Sequence, residues 1–202
     1  MSERFSNLKK IPDEPALRLL ANANTRLNAS MTLPANASVS AMLVTLDEMG
    51  AFIDILRLMA VAMPGRERTW WSCLAGRDLV RHQALECPRT LKAAEDWVRR
   101  PGDTTRMAVQ QAIDTAPPED DLVLCATSAL FADGTLGPGD KASYPAPPGG
   151  SEMAAFGMNL MALEAHALPV AKVADLLIDR ALDIARGGSG QMQSDREQQD
   201  AT

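Results

Sequence analysis

Apolar residues recur along this chain at helical spacing, and no run alternates in the manner of a β-strand. Val39, Met42, Leu43, Leu46 and Met49 fall at i, i+3, i+4, i+7 and i+10, which places them on one stripe of a helix. Before them, Pro12 to about Ala23 is expected as a first helix presenting Ala16, Leu17, Leu20 and Ala23. The Asn- and Ser-rich stretch 24–37 reads as a connection. After Gly50, Ala51 to Met63 is apolar except for Asp54 and Arg57, which sit i, i+3 apart and can pair, so this third helix is expected at the centre of the core.

Pro64-Gly65 turns the chain into a fourth helix, expected from about Arg66 to Leu79 and carrying Trp70 and Trp71 side by side. Neighbours on a helix point about 100° apart, so the two indoles cannot enter one crevice. One is expected in the core and the other at a boundary. A fifth helix begins near Pro88, with Leu91, Ala94 and Val98 inward and Trp97 beside them, and ends at Pro101. Asp103 is the expected N-cap of a sixth, running to about Ala116. Pro117 and Pro118 are expected to open a seventh, with the stripe Leu122, Cys125, Ala126, Ala129 and Leu130. Residues 132–150, dense in Gly and Pro and centred on Tyr144, the one tyrosine, read as a long loop without a helix. Ser151 is the expected cap of an eighth, buried helix interrupted only by Asn159. Pro169 opens a ninth, which presents Val170, Val173, Ala174, Leu177, Ala181 and Ile184 and stops at Gly187-Gly188.

The expected fold class is therefore all-α, with eight or nine helices as stacked antiparallel pairs or an irregular helical bundle and no regular sequence repeat. The expected organisation is a flexible N-terminus over 1–11, a single domain over 12–187, and a disordered polar tail over 188–202. A length of 202 residues with 46% hydrophobic and 23% charged residues suits one packed domain.

Charge changes the picture by being uneven. Residues 1–64 carry 6 basic and 6 acidic side chains; residues 65–100 carry 8 and 5, or +3; residues 101–202 carry 6 and 15, or −9. The segment holding all three tryptophans is thus the basic part of an acidic chain. No Lys/Arg block is dense enough to neutralise several phosphates, which argues against nucleic acid as a partner, whereas opposite charge on one chain suits protein contacts. The longest apolar stretch, 51–63, is too short and too charged to span a bilayer. The polar start shows no signal peptide, and Cys73, Cys87 and Cys125 include no Cys-x-x-Cys pair. A cytoplasmic protein with reduced cysteines is expected.

Candidate chemistry is sparse. His82 and His166 are the only imidazoles for activating a nucleophile; His82 reads as exposed, and His166 as a side chain favouring the end of the eighth helix. Cys73, Cys87 and His82 match no usual zinc spacing and lack a fourth ligand. Asp175, Asp179 and Asp183 form an i, i+4, i+8 row that Lys172 and Arg180 neighbour, which reads as a salt-bridged face. No Gly-rich phosphate loop is present, and no cofactor or metal is expected. What remains is recognition, because Trp and Arg dominate interface hot spots. Arg68, Trp70, Trp71, Arg77 and Tyr144 are the candidate partner-binding residues.

The run Arg68-Thr69-Trp70-Trp71-Ser72-Cys73-Leu74-Ala75, followed by Ala94-Glu95-Asp96-Trp97-Val98 and Pro101, resembles an uncharacterised bacterial family known only as a domain of unknown function. The likeness covers roughly residues 38–165, and Phe131 stands alone where that family carries a Phe-Trp pair. The family has no assigned activity, so the resemblance implies no catalytic residue. It carries a loose association with gene clusters for secretion or other multiprotein machines. Together these readings give a non-enzymatic adaptor, chaperone or assembly component that binds another protein, with homo-oligomers left open. The alternative is a small-molecule or lipid-tail binder using a pocket among Met-rich helices, given 11 methionines.

Overall fold

A computed structural model describes residues 3–84, 86–166 and 168–191. Among these the chain forms nine α-helices and no strand: α1 (Ala16–Asn22), α2 (Val39–Glu48), α3 (Phe52–Ala62), α4 (Gly65–Gln83), α5 (Arg89–Arg99), α6 (Asp103–Asp114), α7 (Val123–Leu130), α8 (Gly150–Ala165) and α9 (Val170–Arg186). Short 3₁₀ turns occupy Glu3–Phe5 and Gly139–Ser143.

Helices α4 and α8 lie against each other and form the shared axis of the fold. Helices α1, α2, α3 and α9 gather on one side, with α3 touching α1, α2, α8 and α9, while α5, α6 and α7 pack together on the other. This is the irregular bundle, not a stack of sequential pairs, because α8 and α9 return to pack on α3 and α4. The stripe residues of α2 and almost all of α3 are buried, as their spacing requires. Met49, at the end of the α2 stripe, departs from it and is 49% exposed where the helix closes. Asp54 is buried and pairs with Arg57 at 2.5 Å. Its carboxylate also accepts the backbone N–H groups of Asn28 and Ala29, which fastens the polar connection to α3.

Small residues set the close approaches. At Gly76 on α4, an added Cβ would lie 2.8 Å from Leu122 and 3.0 Å from the Cys125 sulfur, so α7 reaches α4 only because this side chain is absent. Gly149 has φ +76° and lies against the carbonyl of Ala23; a Cβ there would sit 2.2 Å from that oxygen. Both conditions call for glycine.

Several boundaries differ from expectation for local reasons. Helix α1 starts only after Pro15, which lacks an amide to donate. Helix α4 runs on to Gln83, so His82 is helical. Gly102, not Asp103, flanks α6. The segment after Pro117 forms turns, in which the Asp120 side chain accepts the Leu122 N–H, and α7 begins at Val123. Ser151 is inside α8, where its hydroxyl donates to the Ser128 carbonyl; Gly149 holds the cap position.

The N-terminal segment and the Gly/Pro-rich loop both make defined contacts. Phe5 is 1% exposed, and Arg4 bonds Asp47 on α2 together with Asp175 and Asp179 on α9. The 132–150 loop contains the Gly139–Ser143 turn and a Thr135–Pro145 bridge. Of the polar tail, 188–191 lie against the bundle and 192–202 fall outside the described residues. No helix of the described residues is long and apolar enough to cross a membrane.

Candidate functional site

The two adjacent indoles part as helix geometry demands. Trp71 is fully buried and its Nε1–H donates to the Leu177 carbonyl on α9 at 3.0 Å. Trp70 is half-buried and its Nε1–H donates to the Ser189 carbonyl at 2.6 Å, just beyond the end of α9. Arg77, two helical turns on, places its guanidinium 4.9 Å from the Trp70 ring centroid. Its Nε–H donates to Glu95 at 2.5 Å, and Arg99 reaches the second oxygen of that buried carboxylate at 3.2 Å. Burial pulls the Arg77 pKa down, but the hydrogen bond and charge of Glu95 outweigh it and raise it. The cation over Trp70 is therefore held in place by an anion beneath it.

Around Trp70 opens a groove of about 340 Å³ whose apolar surface comes from Trp70, Val98 and Ile184. Its charged edge is Lys10, Arg66, Glu67 and Arg99. Arg66 is exposed and donates its Nε–H to the Val98 carbonyl at 2.7 Å; Lys10 pairs with Glu67 at 3.0 Å. The face is basic and apolar at once, on the segment where charge counting placed the positive end of the chain.

Of the five sequence candidates, Trp70 and Arg77 meet here, and three do not. Trp71 is core. Arg68 is 6% exposed and closes a structural joint: it donates to the Ala60 carbonyl at 2.6 Å and the Met63 carbonyl at 2.8 Å, and pairs with Glu152 on α8 at 2.7 Å. Burial lowers its pKa, opposed by Glu152. Neither side chain is open to a partner, because their hydrogen bonds are satisfied inside the bundle. Tyr144 is 62% exposed but on the 132–150 loop, outside the groove.

Sequence reasoning missed Arg106 and Asp78. Arg106 is 4% exposed and grips the loop: it donates to the carbonyls of Leu130 (2.7 Å) and Thr135 (2.9 Å) and to the Thr135 hydroxyl (2.8 Å), and pairs with Asp133. Asp78 pairs with Arg180, both buried, which ties α4 to α9. In the acidic row of α9, Asp175 and Asp179 pair with Arg4 from the N-terminus, Asp183 accepts the Gly190 N–H, and Arg180 turns inward. The available signal was position: Arg106 and Arg180 stand on the apolar faces marked by Val109 and by Leu177 and Ile184.

His82 and His166, read separately from sequence, touch edge to face with ring centroids 4.1 Å apart. Burial, then His82, lower the His166 pKa, with Arg180 adding and Asp78 opposing. Among the described residues no hydrogen bond joins either ring to a serine, threonine or cysteine. Cys73 and Cys125 are fully buried neighbours on α4 and α7, and burial raises the Cys73 thiol well above its usual range. No three His, Cys, Asp or Glu side chains of the described residues are grouped to hold a metal ion.

Comparison with known proteins gives a family but no activity. No curated protein and no solved structure matches the chain. A family model described as "Family of unknown function (DUF6931)" matches residues 42–185, from α2 through α9, so it takes in both indoles, the Arg77–Glu95 pair and the buried Asp78–Arg180 pair. The chain belongs to this family of unknown function, DUF6931.

Proposed function

We propose that this protein is a non-enzymatic, cytoplasmic protein–protein interaction module that grips a partner through the Trp70 groove, as an adaptor, chaperone or assembly component of a bacterial secretion or other multiprotein system. The observation that carries the reading is Trp70 itself, half-buried beneath a fixed Arg77 and beside the exposed Arg66 and Arg99. Rigid aromatic and arginine side chains lose little conformational freedom on binding and dominate measured hot spots. The cationic rim favours a partner segment carrying acidic and apolar side chains, and it steers such a segment on approach.

Methionine gives little support to the alternative of a small-molecule or lipid-tail binder. Met59 and Met158 are packed in the core, and the methionines that reach open grooves are scattered, Met31 and Met42 on one and Met63 on another.

The test is site-directed photocrosslinking in the native host, with the crosslinker at Arg99 on the groove rim and, separately, at Lys141 on the far loop. The expected result is one discrete adduct from position 99 that Trp70→Ala or Arg66→Glu abolishes. Adducts of equal yield from both positions, or an adduct insensitive to Trp70→Ala in a folded protein, would overturn the proposal.

A further inference from the structure

A second open site lies on the other half of the bundle, away from Trp70. Between the end of α4, the start of α5 and the α6–α7 connection is a cleft of about 530 Å³, a size typical of pockets for small organic ligands. Its floor is made by Leu79, Ala112 and Leu122, each under 10% exposed, and by Pro88 and Pro117. No aromatic ring lines it, so it offers neither stacking nor cation–π contact. An aliphatic chain is the body that such a floor covers best.

The rim decides the charge of the ligand. Glu86 comes from the α4–α5 connection, and Glu119, Asp120 and Asp121 from the α6–α7 connection. Against these four carboxylates stands one cation among the described lining residues, Arg89. Asp120 is fixed by the Thr90 hydroxyl at 2.7 Å and the Leu122 N–H at 3.0 Å, both neutral donors that leave its charge uncompensated. The side-chain carboxylates of Glu86, Glu119 and Asp121 have no ion-pair or hydrogen-bond partner among the described residues. Negative charge therefore stands on two separate segments that border one apolar floor.

We infer that this cleft binds a free aliphatic di- or polyammonium compound, its methylene chain on the Leu79–Leu122 floor and its ammonium groups at the carboxylates of the two connections. A neutral lipid would leave the carboxylates desolvated without a counter-charge, and an anion would be repelled. This site is independent of the Trp70 groove and of the function proposed for it.

Isothermal titration of the full chain with spermidine and with 1,8-diaminooctane tests the inference. Saturable one-to-one binding is expected, weakened at least about tenfold in Glu86→Gln/Asp121→Asn, since two charge contacts at a rim suffice for that change. The control Asp13→Asn/Glu48→Gln removes the same charge at exposed positions outside the cleft and should change affinity by less than about twofold. Thr115→Trp, which places bulk on the cleft wall without altering charge, should also abolish binding. Equal weakening in both charge variants would reduce the effect to the net charge of the chain and overturn the site. So would absence of saturation, or tighter binding by octane-1,8-diol than by the diamine. A lysine-rich peptide binding more tightly than spermidine would overturn the free-ligand reading.

Discussion

Adjacent tryptophans with opposite fates give the sharpest test of the fold. Trp71 is fully buried, so Trp71→Ala forfeits the whole packing of an indole, about 150–250 Å² of surface. At about 25 cal/mol per Å² this is roughly 4–6 kcal/mol before relaxation, and measured Trp→Ala losses in cores run about 3–5 kcal/mol. The bond from Nε1 to the Leu177 carbonyl at 3.0 Å goes with it. Trp70→Ala removes one bond to the Ser189 carbonyl and one cation–π contact with Arg77, on a ring whose outer edge already meets water. Those contacts are worth about 0.5–1.5 and 0.5–1 kcal/mol, so a loss of about 1–2.5 kcal/mol is expected. Urea unfolding followed by far-ultraviolet circular dichroism measures both without relying on tryptophan emission. Trp71→Phe supplies the same ranking should Trp71→Ala not fold. In acrylamide quenching, Trp70→Phe should remove the accessible emitter and Trp71→Phe a protected one. Equal destabilisation by the two Ala variants, or a loss under about 1 kcal/mol at Trp71, would refute the assignment of faces on α4.

Three other outcomes follow from the buried charges and the histidine pair. Arg106→Met should cost about 2–3 kcal/mol and expose the 133–145 loop to trypsin at Lys141, since it removes charge-assisted bonds to Leu130, Thr135 and Asp133; digestion at the wild-type rate would refute the clamp. Asp78→Ala should destabilise by about 3–5 kcal/mol by taking the paired carboxylate from a buried guanidinium, and Asp78→Leu/Arg180→Met should recover much of that loss; denaturant midpoints decide it. His166 titrates below its ordinary value in the folded chain, so the unfolded chain takes up its proton first as pH falls. Its contribution is present above the unfolded value of about 6.5 and is lost as pH drops from there towards the lower folded value, and His82→Gln should flatten that decline in urea midpoints measured from pH 7.5 to 5. An unchanged slope in His82→Gln would remove the ring pair as its cause.

Periodicity reads out what a helix buries, and that much was legible. The α2 stripe as far as Leu46, the apolar α3, the Asp54–Arg57 pair and the Gly187 stop all stand where their spacing put them, because each depends on residues within a few turns of one another. The same local logic told that one indole of the pair had to be core. It could not tell which, since that choice depends on α9 and residue Ser189 returning to α4 across more than a hundred positions.

Arginine was the harder residue to read. Counted as charge, Arg68, Arg106 and Arg180 look like solvent-facing cations, and Arg68 looks like part of a binding face. Each is instead buried, and each spends its donors on carbonyl or carboxylate oxygens where elements meet: the end of α3, the end of α7 with its following loop, and the α4–α9 contact. A guanidinium can do this because its planar fork spreads five N–H donors over three nitrogens, whereas the three donors of a lysine radiate from one. The consequence for recognition is selective. Within residues 65–100 only Arg68 is withdrawn to the interior; Arg66, Arg77 and Arg99 stand around the half-exposed Trp70, while Arg81, Arg89, Lys92 and Arg100 are exposed elsewhere. Part of the basic excess seen along the sequence is thus gathered beside an exposed ring, and there a partner with acidic and apolar side chains would find both contacts.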